Sequence, residues 1–578
     1  MSSHRLRAHH RGPAGMSASA GEPGPAGQPA TSARLVRRRA VLGSAGVAVA
    51  GVAAVSGLAG KSPAGRAEAA PPASAEEAEP FVISAVSQAS QLDPALAEDT
   101  ETQRISRQVF EPLVGVDRES GDTVPLLATS WSASEDGLTY TFTIRRGVEF
   151  HDGTSLTAEV VAQNIDRWSR LNSLYGEAHL KRRTALAFVS VFGGYADSSE
   201  CLLDSVDAED DYSVAITLKE PLVFLLEALT HPGFGIASAA TLDDEDPGLI
   251  SRDAAGTGAY RLVSHEDDTT RLEAFPAYWG DAPALPAVTV RSIPRSFDRL
   301  RELQRGTLDV YDYITTDSLQ TLVQSGRLIL QRDPFSIVYL GFNLEHPALQ
   351  DGDLREGIAH AINRGQLCEK HFLSGSQSAQ QFVPPALAVA SEDAQSYGYD
   401  RQRARRLIQR SSYDGEPLSF YYPLRATRSY LPQPEAVFAS IAQSLTAAGI
   451  TLRPRPVRWE DDYLGTLLED EDRAMHLLGR NGGYRSPHAF LGPLFAEQSQ
   501  EFRYDSAVVR RLIRDARSEE DEETRRELYQ EAAEELAEDL PAVPLAFPIS
   551  GVALGSRIAD YPMSPVLDEL FRDITPAS

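Results

Sequence analysis

PLLATSWSASEDGLTYTFTIRRGVEFHDGT, residues Pro125–Thr154, is the stretch from which the rest of the chain is read. Within it Thr139–Ile144 alternates threonine with Tyr, Phe and Ile. That period of two places successive side chains on opposite faces of a sheet. Asp152-Gly153 supplies the residue types of a tight turn. Nothing in the stretch is chemically reactive, so it reads as scaffold and leaves any ligand open.

Working outward, strand-like alternation recurs at Ser213–Leu218 and Val288–Ile293, and a strand is expected from Phe81 through Val86. Helical periodicity covers Thr157–Leu171, Asp353–Asn363, Ala436–Ala448 and Glu522–Glu538, the last stopping at Leu540-Pro541. Strands mixed with helices over some 500 residues, without internal repeats, indicate an α/β or α+β architecture.

The 578 residues carry a formal charge of −27. Residues 1–75 hold nine Lys/Arg against two Asp/Glu, so the remaining chain bears −34. A body this acidic lacks the basic stripe that nucleic acid requires, and it suits a protein that repels its own copies, expected as a monomer. Arg37-Arg38-Arg39 precedes a weakly apolar Ala/Gly/Val stretch and resembles a Tat-type export signal within a disordered leader over 1–75. An extracytoplasmic protein is expected. The first cysteine is Cys201, so no cysteine follows the leader to carry a lipid. Two cysteines, Cys201 and Cys368, in a chain expected to be exported could form one disulfide.

Motifs of catalysis are missing. There is no Gly-x-Ser-x-Gly, no His-Glu-x-x-His and no Gly-x-x-x-x-Gly-Lys. Gly256-Thr257-Gly258 lacks the third glycine of a dinucleotide loop. No enzyme activity and no cofactor are expected.

Pro125–Thr154 resembles, nearly position for position, the signature of the peptide/nickel solute-binding proteins, extracellular solute-binding protein family 5. Further matches occur in order: Gly256-Thr257-Gly258-Ala259-Tyr260, Pro276-Ala277-Tyr278-Trp279-Gly280, Leu303–Asp309, Tyr339–Asn343, Leu354–Arg364, Tyr399-Asp400 and Ala447–Ile450. The resemblance implies a type II periplasmic-binding-protein fold of the large cluster: two α/β lobes around a hinged cleft, with a subdomain inserted in lobe one. Lobe one is expected over 76–116, 251–334 and 531–578, the insertion over 117–250 and lobe two over 335–530. Cys201 and Cys368 then fall in different lobes, where a bridge would block closure, so two free, buried thiols are expected. His151 and Asp152 become turn residues of the insertion, and Trp131 and Tyr140 core aromatics. The implied function is capture of a peptide or peptide-like solute by hinge closure and its delivery to an ABC permease. A diffusible receptor without a permease is the rival.

Thr427–Pro434 resembles the "T-R-P-Y-x-P-x-P" segment of dipeptide-type members, which implies that Arg428 clamps a ligand carboxylate. A guanidinium fork matches two carboxylate oxygens. Leu477–Leu491 aligns with "G-x-x-G-D-Y-x-D-P-D-x-F" but departs from it. Gly483 replaces the acid that would pair with a peptide's α-ammonium, Ser486 and His488 replace two others, and Arg485 adds a positive charge. The ligand-binding candidates are Arg428, Arg480, Asn481, Gly483, Tyr484, Arg485 and His488, with Ser87 and Gln88 after the first strand. Three ligands stay open: an oligopeptide; a metallophore or acidic peptide favoured by Arg428, Arg480 and Arg485; and a nickel chelate met by His488. A single histidine is weak evidence for metal, so no metal site is assigned. On this reading Arg428→Ala weakens binding, and Gly483→Asp improves affinity for peptides with a free α-amine over N-acetylated ones.

Overall fold

The computed structural model describes residues 80–118, 120–176, 180 and 186–578. The expected export segment at 1–75 lies outside the described residues. Among the described residues no helix is long and apolar enough to cross a membrane.

Three sheets organise the body. The first has seven strands, in the spatial order Leu328–Gln331, Gly551–Leu554, Val310–Asp312, Phe81–Ala85, Ala287–Ser292, Thr269–Ala274 and Tyr260–Glu266. Phe81–Ala85 lies at its centre and pairs in parallel with both neighbours, Ile83 facing Val290 on one side and Val310 on the other. The second sheet has the order Gln377–Ser378, Ala542–Phe547, Ser336–Phe342, Met475–Asn481, Leu418–Leu424 and Leu452–Arg458. The strand Ser336–Phe342 is buried along its whole length, as its apolar run requires of a strand covered on both faces.

The third sheet is antiparallel and takes up the opening stretch. Ala128–Ala133 pairs with Thr139–Ile144, which pairs with Ser213–Leu218, and Leu203–Asp210 closes the edge. Thr139–Ile144 forms a strand at its expected bounds, with buried and exposed side chains alternating over Phe142–Ile144, and Trp131 and Tyr140 pack, partly buried, against the adjoining core. His151 is fixed through Nε2 to the carbonyl of Gly258 at 2.9 Å, and its ring meets Phe275 edge-on at 4.8 Å. Two short motifs a hundred residues apart thus meet. Gly258 is required there because a Cβ would lie 2.3 Å from the carbonyl oxygen of Gln108. Thr257, Tyr278 and Trp279 all donate to the buried carboxylate of Glu111, which explains why the Gly-Thr-Gly and Tyr-Trp segments occur together.

The expected helices form with small shifts: Ala158–Ser169 capped by Thr157, Gly352–Ala361, Pro434–Ala448 and Glu522–Asp539. Leu540 ends the last of them in the left-handed conformation, at φ 48°. One expected boundary is corrected. The chain does not leave the second lobe at 531, because Ala542–Phe547 hydrogen-bonds to Ser336–Phe342 inside the second sheet. The return comes with Gly551–Leu554, which pairs with Val310–Asp312 of the first sheet. A helix stop at Leu540-Pro541 marks the end of an element and carries no information about which sheet the next strand joins. Cys201 and Cys368 are free and buried, in two separate apolar cores.

The chain passes between the first two sheets twice, at residues 332–335 and 548–550. Arg332 ties the passages together. Its backbone N–H donates to the carbonyl of Ser550 at 2.9 Å, and its guanidinium is bidentate to Asp312 at 2.7 and 2.9 Å. Nε reaches Glu569 at 2.5 Å, and Arg104 meets the same Asp312 at 2.8 Å. All four side chains are at most 3% exposed. Two carboxylates removed from water are tolerable only while these cations face them. Arg332→Met is therefore expected to lower unfolding free energy by about 3–5 kcal/mol, the usual cost of stranding buried charges. Urea denaturation followed by far-UV circular dichroism measures it, and a change within the error of the fit would contradict the role of Arg332.

Candidate ligand-binding cleft

A cavity of about 1810 Å³ lies between the two large sheets, walled by residues of both lobes and of the inserted segment. Small-molecule sites usually span about 300–1,000 Å³, so this one has room for a ligand larger than a single amino acid. The lobes touch across it. Asn481 accepts from Ser429 at 2.7 Å and donates to Thr100 at 3.2 Å, and Thr316 donates to Gln433 at 3.1 Å.

Arg428 is placed by its own turn. The backbone groups of Arg428 and Leu431 bond reciprocally at 3.1 Å, between the strand Leu418–Leu424 and the helix that Pro434 opens. This fixes the guanidinium over the face of Trp459, 3.9 Å from the ring centroid. Cation–π attraction holds a charge in that position without neutralising it. Arg428 is 7% exposed, donates from Nη1 to Ser87 at 3.4 Å and leaves Nε without a partner. It faces no carboxylate at ion-pair distance among the described residues. A buried cation with unused donors on a cavity wall is a place for an anion.

Arg480 and Asn481 end the strand Met475–Asn481, whose register sets Asn481 opposite Ser336 and Arg480 opposite Ile337, next to the first crossing. Arg480 also lines the cavity without an ion-pair partner among the described residues. Glu501, on the same wall, is tied back by Tyr339 at 2.9 Å and His476 at 2.8 Å.

Gly483 faces a residue that sequence reading missed. A Cβ there would lie 2.3 Å from Cδ2 and 2.6 Å from Nε2 of His231, in the inserted segment. His231 is 8% exposed, and its Nδ1 accepts the Gly233 N–H at 2.9 Å, which caps the turn Pro232–Phe234. The ring is thus fixed, and the proton of the neutral imidazole sits on Nε2. The expectation that Gly483→Asp improves binding is corrected by this contact: the imidazole occupies the space an aspartate would need. His231 lies some 250 residues upstream in no motif, so only the fold brings it to Gly483.

Eight of the nine expected ligand residues line the cavity: Ser87, Gln88, Arg428, Arg480, Asn481, Gly483, Tyr484 and His488. Arg485 does not. Its guanidinium lies where a Cβ on Gly121 would be, against the hairpin Val114–Pro125. The expected charge contribution of Arg485 to the ligand site is corrected accordingly, because its neighbour Tyr484 takes the inward position. His488 stacks on Phe224 at 4.5 Å and leaves Nδ1 without a partner. No group of three or more His, Cys, Asp or Glu able to hold a metal occurs among the described residues.

Burial, then the charge of Arg107, depresses the pKa of His231 to about 3. Burial, then Arg517, does the same for His488. Below pH 6.5 the unfolded chain takes up a proton at each ring that the folded chain does not accept until about pH 3. Unfolding therefore binds protons, and stability falls as pH drops, by about 1.4 kcal/mol per pH unit per ring. Denaturation at pH 6.5, 5.5 and 4.5 should show this slope, and His488→Gln should reduce it by one ring's share. An unchanged slope in that variant would contradict a neutral buried His488.

With this geometry in hand, known proteins supply the context. Residues 122–502 match the model of the bacterial extracellular solute-binding proteins, family 5. The heme-binding protein A of Haemophilus influenzae is 26% identical over 489 residues, 82% of this chain and 88% of that protein. The glutathione-binding protein GsiB of Salmonella choleraesuis is 28% identical over 481 residues, 81% of this chain and 89% of that one. The periplasmic binding protein DppA of Helicobacter pylori, solved with the peptide STSA, superposes with a TM-score of 0.76 at 24% identity, covering 86% of this chain and 98% of its own. The fold is thus that of the periplasmic binding proteins. These relatives are all named as binding proteins. The chain belongs to the bacterial extracellular solute-binding proteins of family 5.

Proposed function

We propose that this protein is the exported substrate-binding component of an ABC importer, taking up a peptide-like solute with a free carboxylate and presenting it to a membrane permease. The observation that carries the reading is Arg428: a buried guanidinium on the cavity wall, stacked on Trp459, with no carboxylate at ion-pair distance among the described residues. In a closed cleft of low dielectric, such a charge pairs with a ligand carboxylate far more strongly than it would in water. The size of the cavity and the relatives named for dipeptides and glutathione support a peptide-like solute over a simple ion.

Closure supplies the output. Arg428 of the second lobe reaches Ser87 of the first, and Asn481 reaches Thr100, so a ligand held at this seam contacts both lobes and favours their approach. The twin-arginine leader supports export.

The test is native mass spectrometry of the purified protein against a library of tri- to pentapeptides, each with a free or an amidated C-terminus. The wild type should retain the free acids preferentially. Arg428→Ala should retain them at least tenfold less, since losing one desolvated charge-assisted pair commonly costs about 2–5 kcal/mol. Equal retention of the acids by both proteins would overturn the carboxylate clamp.

A further inference from the structure

Gly483 and His231 say something about the other end of the ligand. At the position facing Gly483 the wall offers an imidazole whose Nδ1 is already satisfied by Gly233. What remains for the cavity is Nε2–H, a donor, and no acceptor among the described residues takes it. Arg480, two residues before the Gly482-Gly483 pair, adds a guanidinium on the same wall. Of the acids that line the wall, Glu98 is half-buried and Glu460 exposed, and three are tied by hydrogen bonds. Asp99 caps the helix Thr100–Val109, Asp462 caps Tyr463–Glu469, and Glu501 accepts from Tyr339 and His476. Glu497, exposed at the margin, lies 3.9 Å from Arg514.

An ammonium group has only donors to offer, and facing Nε2–H and a guanidinium it would lose its hydration with nothing in exchange. A carbonyl or carboxylate oxygen at the same place would accept from one or both. We infer that the cavity selects a peptide-like acid lacking a free α-ammonium, with an acyl or carboxylate oxygen directed at His231 and Arg480 and its free carboxylate at Arg428. His231 is the specificity-determining residue of this arrangement. The neutrality of the ring down to about pH 3 keeps it a single donor throughout the physiological range. The inference rests on the peptide-like reading above and refines its ligand class.

The experiment offers the full-length protein an equimolar library of tri- to pentapeptides with free C-termini, each present as the free amine and as the N-acetyl form, and reads the retained species by native mass spectrometry. The N-acetyl forms are expected at tenfold or more over their free-amine counterparts. His231→Ala combined with Gly483→Asp removes the ring and installs a carboxylate in the vacated space. That variant should reverse the preference towards free amines by at least tenfold, with a circular dichroism spectrum matching the wild type. Equal or greater retention of free amines by the wild type would overturn the inference while leaving the peptide reading in place. Retention of neither form would overturn both. The wild-type comparison decides the matter even where the double variant does not fold.

Discussion

Both passages of the chain between its two large sheets converge on one guanidinium. Arg332 sits in the first passage, bonds the backbone of the second at Ser550, and is clamped by Asp312 and Glu569 of the first lobe. Asp312 in turn holds Arg104 on the helix Thr100–Val109, whose first residue touches Asn481 across the cleft. The ion network therefore does two things at once. It anchors the first crossing to the first lobe, and it holds the helix whose first residue, Thr100, bonds Asn481 of the second lobe. A buried network of this kind is rigid because any rotation would expose an uncompensated charge.

The candidate ligand site is built where these constraints leave space. Its cationic end comes from the second lobe, on a turn and on a strand whose register against Ser336–Phe342 delivers Arg480 and Asn481 to the crossing. Its opposite wall comes from the inserted segment, through His231. That segment shares an apolar core with the helices His488–Phe495 and Ala507–Ser518, and Val223 donates to the carbonyl of Arg517 at 3.1 Å. The insertion is thus part of the cleft's construction as well as its covering. Its ring at His231 occupies space that a side chain at 483 would otherwise fill, so the glycine and the histidine belong to one arrangement.

Much of this was legible in advance, and the reasons differ by element. Thr139–Ile144 and Ser213–Leu218 appear at their expected bounds because alternation of Thr with apolar side chains has one sheet solution when a single face is buried. Arg428 could be found because the local segment Thr427–Pro434 resembles a family segment, and the structure places it on the cavity wall. The boundary near 531 was misplaced because sheet membership depends on partners far away in sequence. Arg485 was misplaced for a related reason: adjacent residues in an irregular segment point in directions that only their packing neighbours decide. Tyr484 turns inward and Arg485 outward, against Gly121.

The amino-acid sequence by itself determined the family and the two-lobe α/β plan, and its resemblance to that family pointed to Arg428 and to the segment around Gly483 as candidates for the ligand site. These are local patterns, carried by neighbouring residues whose conformations depend mainly on one another. Only the tertiary structure decided what faces Gly483. That required bringing His231 and Gly483 together across some 250 residues, fixing the imidazole tautomer through the Gly233 N–H, and burying Arg428 with no carboxylate at ion-pair distance among the described residues. The direction of a hydrogen bond and the absence of a counter-charge are properties of a closed three-dimensional neighbourhood, and no stretch of sequence contains that neighbourhood.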